Sequence, residues 1–316
     1  MQPTIKIGVS SCLLGEKVRF DGGHRHDRYI TGTLGKFFAF VPVCPETECG
    51  LGIPREAMRL LGPADSPRLV TNKTGIDHTE RMQTWAAKKL DVLDRENLCG
   101  FIFKKDSPSS GLHRVRVYSD KGPPARTGKG IFAAAFTRRF PRIPVEEEGR
   151  LHDPGLRENF IEQVFALKRW REALEQKQSV GNLVAFHTRE KLLLMAHSQK
   201  HYRQMGRLVG TGKTMAAARL YDDYETLLME ALHLKATVAK HTNVLMHILG
   251  YFKKQLSGDE KQEVLGVIDN YRSGHLPLIV PVTLLNHFVR KYRQPYLADQ
   301  TYLQPHPLEL ALRNHG

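Results

Sequence analysis

Three short apolar runs, each ending in a loop of sulfur or hydroxyl side chains, constrain the fold of this chain more than anything else in it. They are residues 4–10 before Ser11-Cys12-Leu13, residues 38–43 before Cys44-Pro45-Glu46-Thr47-Glu48-Cys49, and residues 100–103 before Ser107-Pro108-Ser109-Ser110-Gly111. Apolar runs this short, bounded by Gly, Pro and Ser, read as buried strands. In an open parallel sheet the loops at the carboxyl ends of the strands converge on one crevice. Cys12, Cys44, Cys49, Glu46 and Ser107 are therefore expected to share a pocket. Cys99 begins its strand instead of ending it, which at about 3.3 Å per residue puts it roughly 15 Å from the loop beyond Phe103.

A free cysteine is often only a small buried hydrophobe. A disulfide needs an oxidising compartment, but the first apolar run is short, contains Lys6, and continues into the cysteine loop, so it does not read as a signal peptide. No run approaches the roughly 20 apolar residues of a membrane span. A cytoplasmic chain is expected, in which clustered thiols point to metal binding or catalysis. Structural zinc wants four ligands in paired short spacings, which Cys44 and Cys49 with a distant Cys12 do not supply, although His24 or His26 could complete a set. An iron–sulfur cluster held by three thiolates would leave one iron open as a Lewis acid.

Four segments, residues 10–22, 42–46, 50–55 and 105–111, resemble in order the bacterial thiouracil desulfidase family. They are Ser-Ser-Cys-Leu-Leu-Gly-Glu-Lys-Val-Arg-Phe-Asp-Gly, Pro-Val-Cys-Pro-Glu, Gly-Leu-Gly-Ile-Pro-Arg and Lys-Asp-Ser-Pro-Ser-Ser-Gly. From near residue 180 the chain resembles the helical domain of YbgA-like proteins, and the combination is similar to fused desulfidases that act on 4-thiouridine of RNA. The resemblance implies non-redox, hydrolytic removal of sulfur assisted by a 4Fe–4S cluster with three cysteine ligands and one open iron. It implies Glu46 as the acid/base and Ser107 as a hydrogen-bonding or proton-relay group, against their plain readings as a solvated loop carboxylate and a turn or cap serine. The family's usual third ligand lies in a Ser-Pro-Ser-Cys-Gly loop, where this chain has Ser110. A hydroxyl is a poorer partner for iron than a thiolate. Cys49 is the expected replacement, giving Cys12, Cys44 and Cys49 as the ligand set.

At 316 residues the chain is long enough for two cores. Residues 1–150 read as an α/β, mostly parallel, Rossmann-like domain, with a helix over 79–93, a further strand over 114–118 ended by Gly122-Pro123-Pro124, and a polar junction at Glu146-Glu147-Glu148-Gly149. Residues 151–316 read as all-α, with helical spacing over 160–174, 191–208, 215–234 and 236–252, and shorter helices where Pro277, Pro281 and Pro295 intervene. Gly210-Thr211-Gly212-Lys213-Thr214 imitates a phosphate-binding loop, but Arg207 stands where its first glycine belongs and a helix precedes it. His197 and His201, one turn apart, read as an RNA-facing or partly buried pair instead of a metal site.

The formal net charge is +14, with 25 basic against 17 acidic residues in 1–150 and 22 against 16 beyond. Such a balance favours a polyanionic partner. Lys200, Arg203 and Arg207 around Tyr202, and Arg290 and Arg293 near Tyr292 and Tyr296, interleave cations with aromatics as a surface for phosphates and unpaired bases would, although each could equally be a solvated helix face. The expectation is an RNA desulfidase converting 4-thiouridine in tRNA to uridine. The alternatives are a desulfidase for free thiouracil or a thionucleoside, a non-catalytic RNA-binding iron–sulfur protein, and a zinc protein. No protein partner is readable from the sequence.

Overall fold

The first apolar run has one small residue where its neighbour has a large one, and that mismatch seats the central sheet. Gly8 lies beneath Phe101, and a Cβ there would come within 2.2 Å of the ring. In the computed structural model, which describes residues 5–119 and 123–314, β1 (Ile5–Ser10) pairs in parallel with β2 (Phe38–Val43). Thr4 and Gly122 lie outside the described residues. After α1 (Pro45–Glu48), β3 (Met58–Leu61), β4 (Arg68–Thr71) and α2 (Thr79–Arg95), the chain returns as β5 (Gly100–Phe103) on the other side of β1. β6 (Val115–Tyr118), β7 (Ala125–Gly128), α3 (Ile131–Arg139) and β8 (Val145–Glu147) follow. The first sheet has the order β2-β1-β5-β8, with every pair parallel. Its aromatic layer stacks Phe101 on Phe103 at 4.2 Å and closes against Phe132 and Phe136 of α3.

Three features of this unit differ from the sequence reading. Residues 115–118 form a strand, but in a second sheet of order β4-β3-β6-β7 whose β3-β4 and β6-β7 pairs are antiparallel. A second difference is that β3, β4 and β7, only four residues each and each containing an arginine, do not stand out as apolar runs. The polar junction is itself an edge strand, β8, because its carboxylates bury with partners. Glu147 Oε1 accepts the Leu112 and His113 N–H groups at 2.8 and 3.0 Å, and Glu146 accepts Arg150 Nε at 2.7 Å.

The chain divides into two compact units, Met1–Asp153 and Pro154–Gly316. The second contains α4 (Pro154–Leu174), α5 (Val180–His197), α6 (Gln199–Gly210), α7 (Ala217–His233), α8 (Val238–Gly250), α9 (Gly258–Arg272), α10 (Ile279–Lys291) and α11 (Pro295–Ala298). The helix expected over 191–208 is two helices. Ser198 is extended (φ −157°, ψ 110°), and its hydroxyl accepts the His201 N–H as the cap of α6. Trp170 anchors the core, stacked on Tyr224 at 5.1 Å and edge-on to Phe186. Among the described residues no helix is long and apolar enough to cross a membrane.

An ionic cluster is buried in the same unit. Arg313 lies 2.9 Å from Glu162 and 3.4 Å from Glu158, and His197 Nε2 is 3.1 Å from Glu162. Burial opposes the charge on Glu162, but the His197 and Arg313 contacts hold its carboxyl well below the ordinary range. Burial, reinforced by the charge of Glu162, raises Glu158 to about 8. Oxygens of these two glutamates and a His306 nitrogen lie within 4.8 Å of one another, a spacing a metal ion could use. The guanidinium already supplies the cation there, so the cluster reads as a structural ion pair.

His241, 6% exposed, lies 3.0 Å through Nδ1 from the Tyr302 hydroxyl, and burial pushes its pKa from 6.5 down to about 3. A depressed pKa contributes stability that is present above pH 6.5 and lost as pH falls toward 3. His241→Gln should therefore flatten the loss of stability between pH 6.5 and 4 relative to wild type, measured by urea unfolding. An unchanged slope would mean that His241 titrates alike in the folded and the unfolded chain.

Candidate active site

The parallel pairing of β1 with β2 and β5 brings three loops to one edge of the sheet. Ser10 pairs with Val43, so the turn Ser11–Leu14 and the Cys44 corner leave their strands side by side. On the other side Lys104 N–H donates to Ser10 Oγ at 2.9 Å, which ties the start of the third loop to the end of β1. Between the loops opens a cavity of about 380 Å³, whose wall includes Cys12, Cys44, Glu46, Arg55, Ser107 and Ser110.

Cys12 and Cys44 are 8% and 7% exposed. Burial raises both thiols, Cys12 to about 11, with Lys104 pulling the other way and Glu46 adding to the rise. Pro45 opens the single turn of α1, and Glu48 reaches back to accept the Cys44 N–H at 2.9 Å while pairing with Lys89 at 2.8 Å. This turn aims Glu46 across the cavity mouth. The Cys44 thiol lies 3.6 Å from Glu46 Oε2, Ser109 Oγ donates to Glu46 Oε1 at 2.5 Å, and an Arg55 guanidinium nitrogen is 4.0 Å away.

The serine loop is held by close backbone packing. A Cβ at Gly130 would sit 2.5 Å from the Ser109 carbonyl, and one at Gly111 would sit 2.7 Å from the Ser107 oxygen. Ser107 Oγ accepts the N–H groups of Ser109 and Ser110 at 3.3 and 3.1 Å and lies 3.0 Å from Ser109 Oγ. Ser107 thus organises the turn, and Ser109 is the hydroxyl that touches Glu46. Sequence reasoning misses Ser109 because its neighbours in the chain are also serines, and no periodicity separates a turn former from a site donor. Ser110 is buried on the cavity wall, and no hydrogen bond from its hydroxyl is found among the described residues.

Cys49, expected to share the pocket, is not among the residues that line the cavity. Four residues, the single turn of α1, separate it from Cys44, which is extended and lies at the other end of that turn. Its thiol lies 3.3 Å from the Glu46 carbonyl, it packs with Leu60, Leu69 and Met82, and Arg81 Nε holds its carbonyl at 2.8 Å. Cys99 is buried at the start of β5, its N–H donating to the Lys6 carbonyl. Among the described residues no three potential ligand atoms including a cysteine lie within 4.8 Å of one another, so no compact zinc site is preformed.

In the helical unit Lys200, Arg203 and Arg207 are exposed on α6, and Arg290 and Arg293 are exposed at the end of α10 and just beyond it. Tyr296 stacks on Tyr251 at 5.3 Å, and its phenol is perturbed upward by burial and by its neighbours Tyr251 and Tyr202. His197 is fully buried against Glu162 and cannot face RNA, whereas His201 is half-buried against Ser198 Oγ. The Gly210–Thr214 segment follows a helix and forms a 3₁₀ turn.

Residues 7–148 match the family model described as 2-thiouracil desulfurase, and residues 191–307 match that of a protein family of unknown function, DUF1722. The second part of the chain belongs to the YbgA-like DUF1722 family, and its first part matches the 2-thiouracil desulfurase model. It is 33% identical over 155 residues to the uncharacterized protein YbgA of Escherichia coli K12, across 49% of this chain and 92% of YbgA. It is also similar to the solved structure of TudS, a 4Fe–4S-dependent thiouracil desulfidase, at 28% identity and a TM-score of 0.38 over 48% of this chain and 95% of that one.

Ser107→Ala should cost about 1 kcal/mol, the worth of a capping hydroxyl, while Gly130→Ala should cost more because its Cβ meets backbone instead of a movable side chain. Chemical denaturation of the two variants checks this ranking. Equal stability in both would show that the loop relaxes freely.

Proposed function

We propose that this protein is an iron–sulfur-dependent desulfidase that hydrolyses a thiolated pyrimidine, and that its substrate is 4-thiouridine in tRNA. The observation that carries this reading is the convergence of two thiols, a carboxylate and a serine loop on one cavity, within the segment that matches the desulfurase family. In the net reaction the C=S bond breaks, an oxygen from water forms the C=O bond, and sulfide leaves with that water's two protons. A chain working on tRNA in this way would be cytoplasmic.

The donor chemistry fits a 4Fe–4S cluster at two corners. Cys12 and Cys44 are the proposed thiolate ligands, and the nearby charges of Lys104, Arg19 and Arg55 offset their negative charge. Ser110 is the proposed third anchor, since it lies on the cavity wall where the desulfidase loop usually has cysteine. Cys49 could serve only if α1 turned its thiol out of the apolar cluster. When bound, such a cluster supplies an open iron that accepts the substrate's sulfur. The residues do the rest. Cys12 and Cys44 must give up protons that burial holds on them, so iron loading should release protons and weaken as pH falls. Once the Cys44 proton has gone, Glu46 Oε2 loses its thiol donor and can take a proton from the attacking water, oriented through Oε1 by Ser109.

Anaerobic reconstitution followed by incubation with thiolated tRNA or free thiouracil, with sulfide and nucleoside composition measured together, tests the reading. Cys12→Ala and Cys44→Ala should lose iron, and Cys49→Ala should keep it. Glu46→Gln should keep iron and turn over about 100- to 10,000-fold more slowly. Iron lost in Cys49→Ala but kept in Ser110→Ala would return the third ligand to Cys49. Sulfide from thiouracil but never from tRNA would reassign the substrate to the free base.

The helical unit is proposed to bind the RNA through Lys200, Arg203, Arg207, Arg290 and Arg293. Replacing the four arginines by alanine should weaken tRNA binding and reduce the salt slope by about 0.7 for each single-strand phosphate that is no longer neutralised. Unchanged affinity and slope would make these faces ordinary solvated surface.

A further inference from the structure

The helical unit has an opening of its own, a groove of about 700 Å³ between α5 and α6. Its wall carries Lys191 from α5, Arg203 and Arg207 from α6, and Lys213 from the turn beyond, and it carries no carboxylate. None of these four cations is paired with an acidic group among the described residues. Four uncompensated positive charges around one concavity call for an anion.

The groove also holds a buried hydrogen-bonding group without a partner. His187 is only 4% exposed, its Nδ1 lies 3.1 Å from the Tyr224 hydroxyl, and its Nε2 has no hydrogen-bond partner. Burial, with Lys191 nearby, pushes its pKa down to about 4, so the ring is neutral at pH 7. No other acceptor for the Tyr224 proton is found among the described residues, so that hydroxyl donates to Nδ1 and the ring hydrogen resides on Nε2. A buried N–H at the floor of a cationic groove is a donor awaiting an acceptor.

Gly206 lies over that donor. Glycine is disfavoured inside a helix, and Gly206 lies in the interior of α6 with its surface exposed. Packing does not require it. Apart from its own helix, the nearest heavy atom to a Cβ built there is His187 Nε2, at 3.9 Å. An alanine would fit without strain and would place a methyl group against Nε2, in the space a ligand oxygen would need.

We propose that this groove binds the phosphate group of a phosphate ester, with one oxygen accepting from His187 Nε2–H and the charge met by Lys191, Arg203, Arg207 and Lys213. The ester is either a phosphodiester of an RNA chain or a free phosphorylated metabolite, since both offer the same oxygens. The site shares Arg203 and Arg207 with the RNA surface proposed above but needs none of the desulfidase chemistry.

Calorimetric titration of the full chain at low ionic strength, with inorganic phosphate, uridine monophosphate, uridine and a single-stranded oligouridylate, tests it alongside the thermal midpoint. Phosphate and the monophosphate should bind while uridine does not. Gly206→Ala should weaken binding about tenfold, close to one charge-assisted hydrogen bond, with a midpoint equal to or above wild type. His187→Gln should show the same loss. If only the oligouridylate binds, and Gly206→Ala weakens it tenfold, the phosphate comes from RNA and the proposal stands. Equal binding by wild type and Gly206→Ala, or no binding of any probe, overturns it. Sulfide release from thiouracil reports on the α/β unit separately, so either reading can fail while the other holds.

Discussion

The parallel pairing of β1 with a neighbour on each side is the constraint on which the α/β unit depends. Ser10 opposite Val43, and Ile7 opposite Gly100, fix the registers that bring the Cys12, Cys44 and serine loops to one edge. A slip of one residue in either pair would turn inward-facing side chains outward. Gly8 beneath Phe101 guards the register on the β5 side, because only a residue without a Cβ can lie under that ring. The cavity is thus a consequence of strand register, and its chemistry is set by which side chains the three loops happen to carry there.

Those side chains are arranged so that protons and charge can be exchanged locally. Two buried thiols hold their protons more tightly than free cysteine, and the carboxylate beside one of them is already fixed by a serine hydroxyl. Ser107 accepts backbone N–H groups within the loop, and Ser109 is the hydroxyl that touches the carboxylate. The helical unit handles polar burial differently. Its ionic cluster pairs Arg313 with two glutamates, whereas His187 keeps one ring nitrogen without a partner beneath a glycine. The ionic cluster belongs to the scaffold, and His187 Nε2 marks the place where a ligand is proposed.

The sequence by itself determined the class of fold, an α/β part followed by an all-α part, because continuous apolar runs and helical spacing are local signals. It also singled out Cys12, Cys44 and Glu46, since a residue just after a buried parallel strand lies at the sheet's carboxyl edge whatever the rest of the chain does. Only tertiary structure decided what local pattern cannot encode. Cys49 belongs to the apolar cluster because α1 turns between it and Cys44. Glu146 and Glu147 form an edge strand because neighbouring groups compensate their burial, and the helix expected through Ser198 is broken where that serine caps a new one. Ser109 and His187 acquire their significance from partners 63 and 37 residues away. Contacts between residues so far apart depend on register and packing, which exist only once the chain has folded.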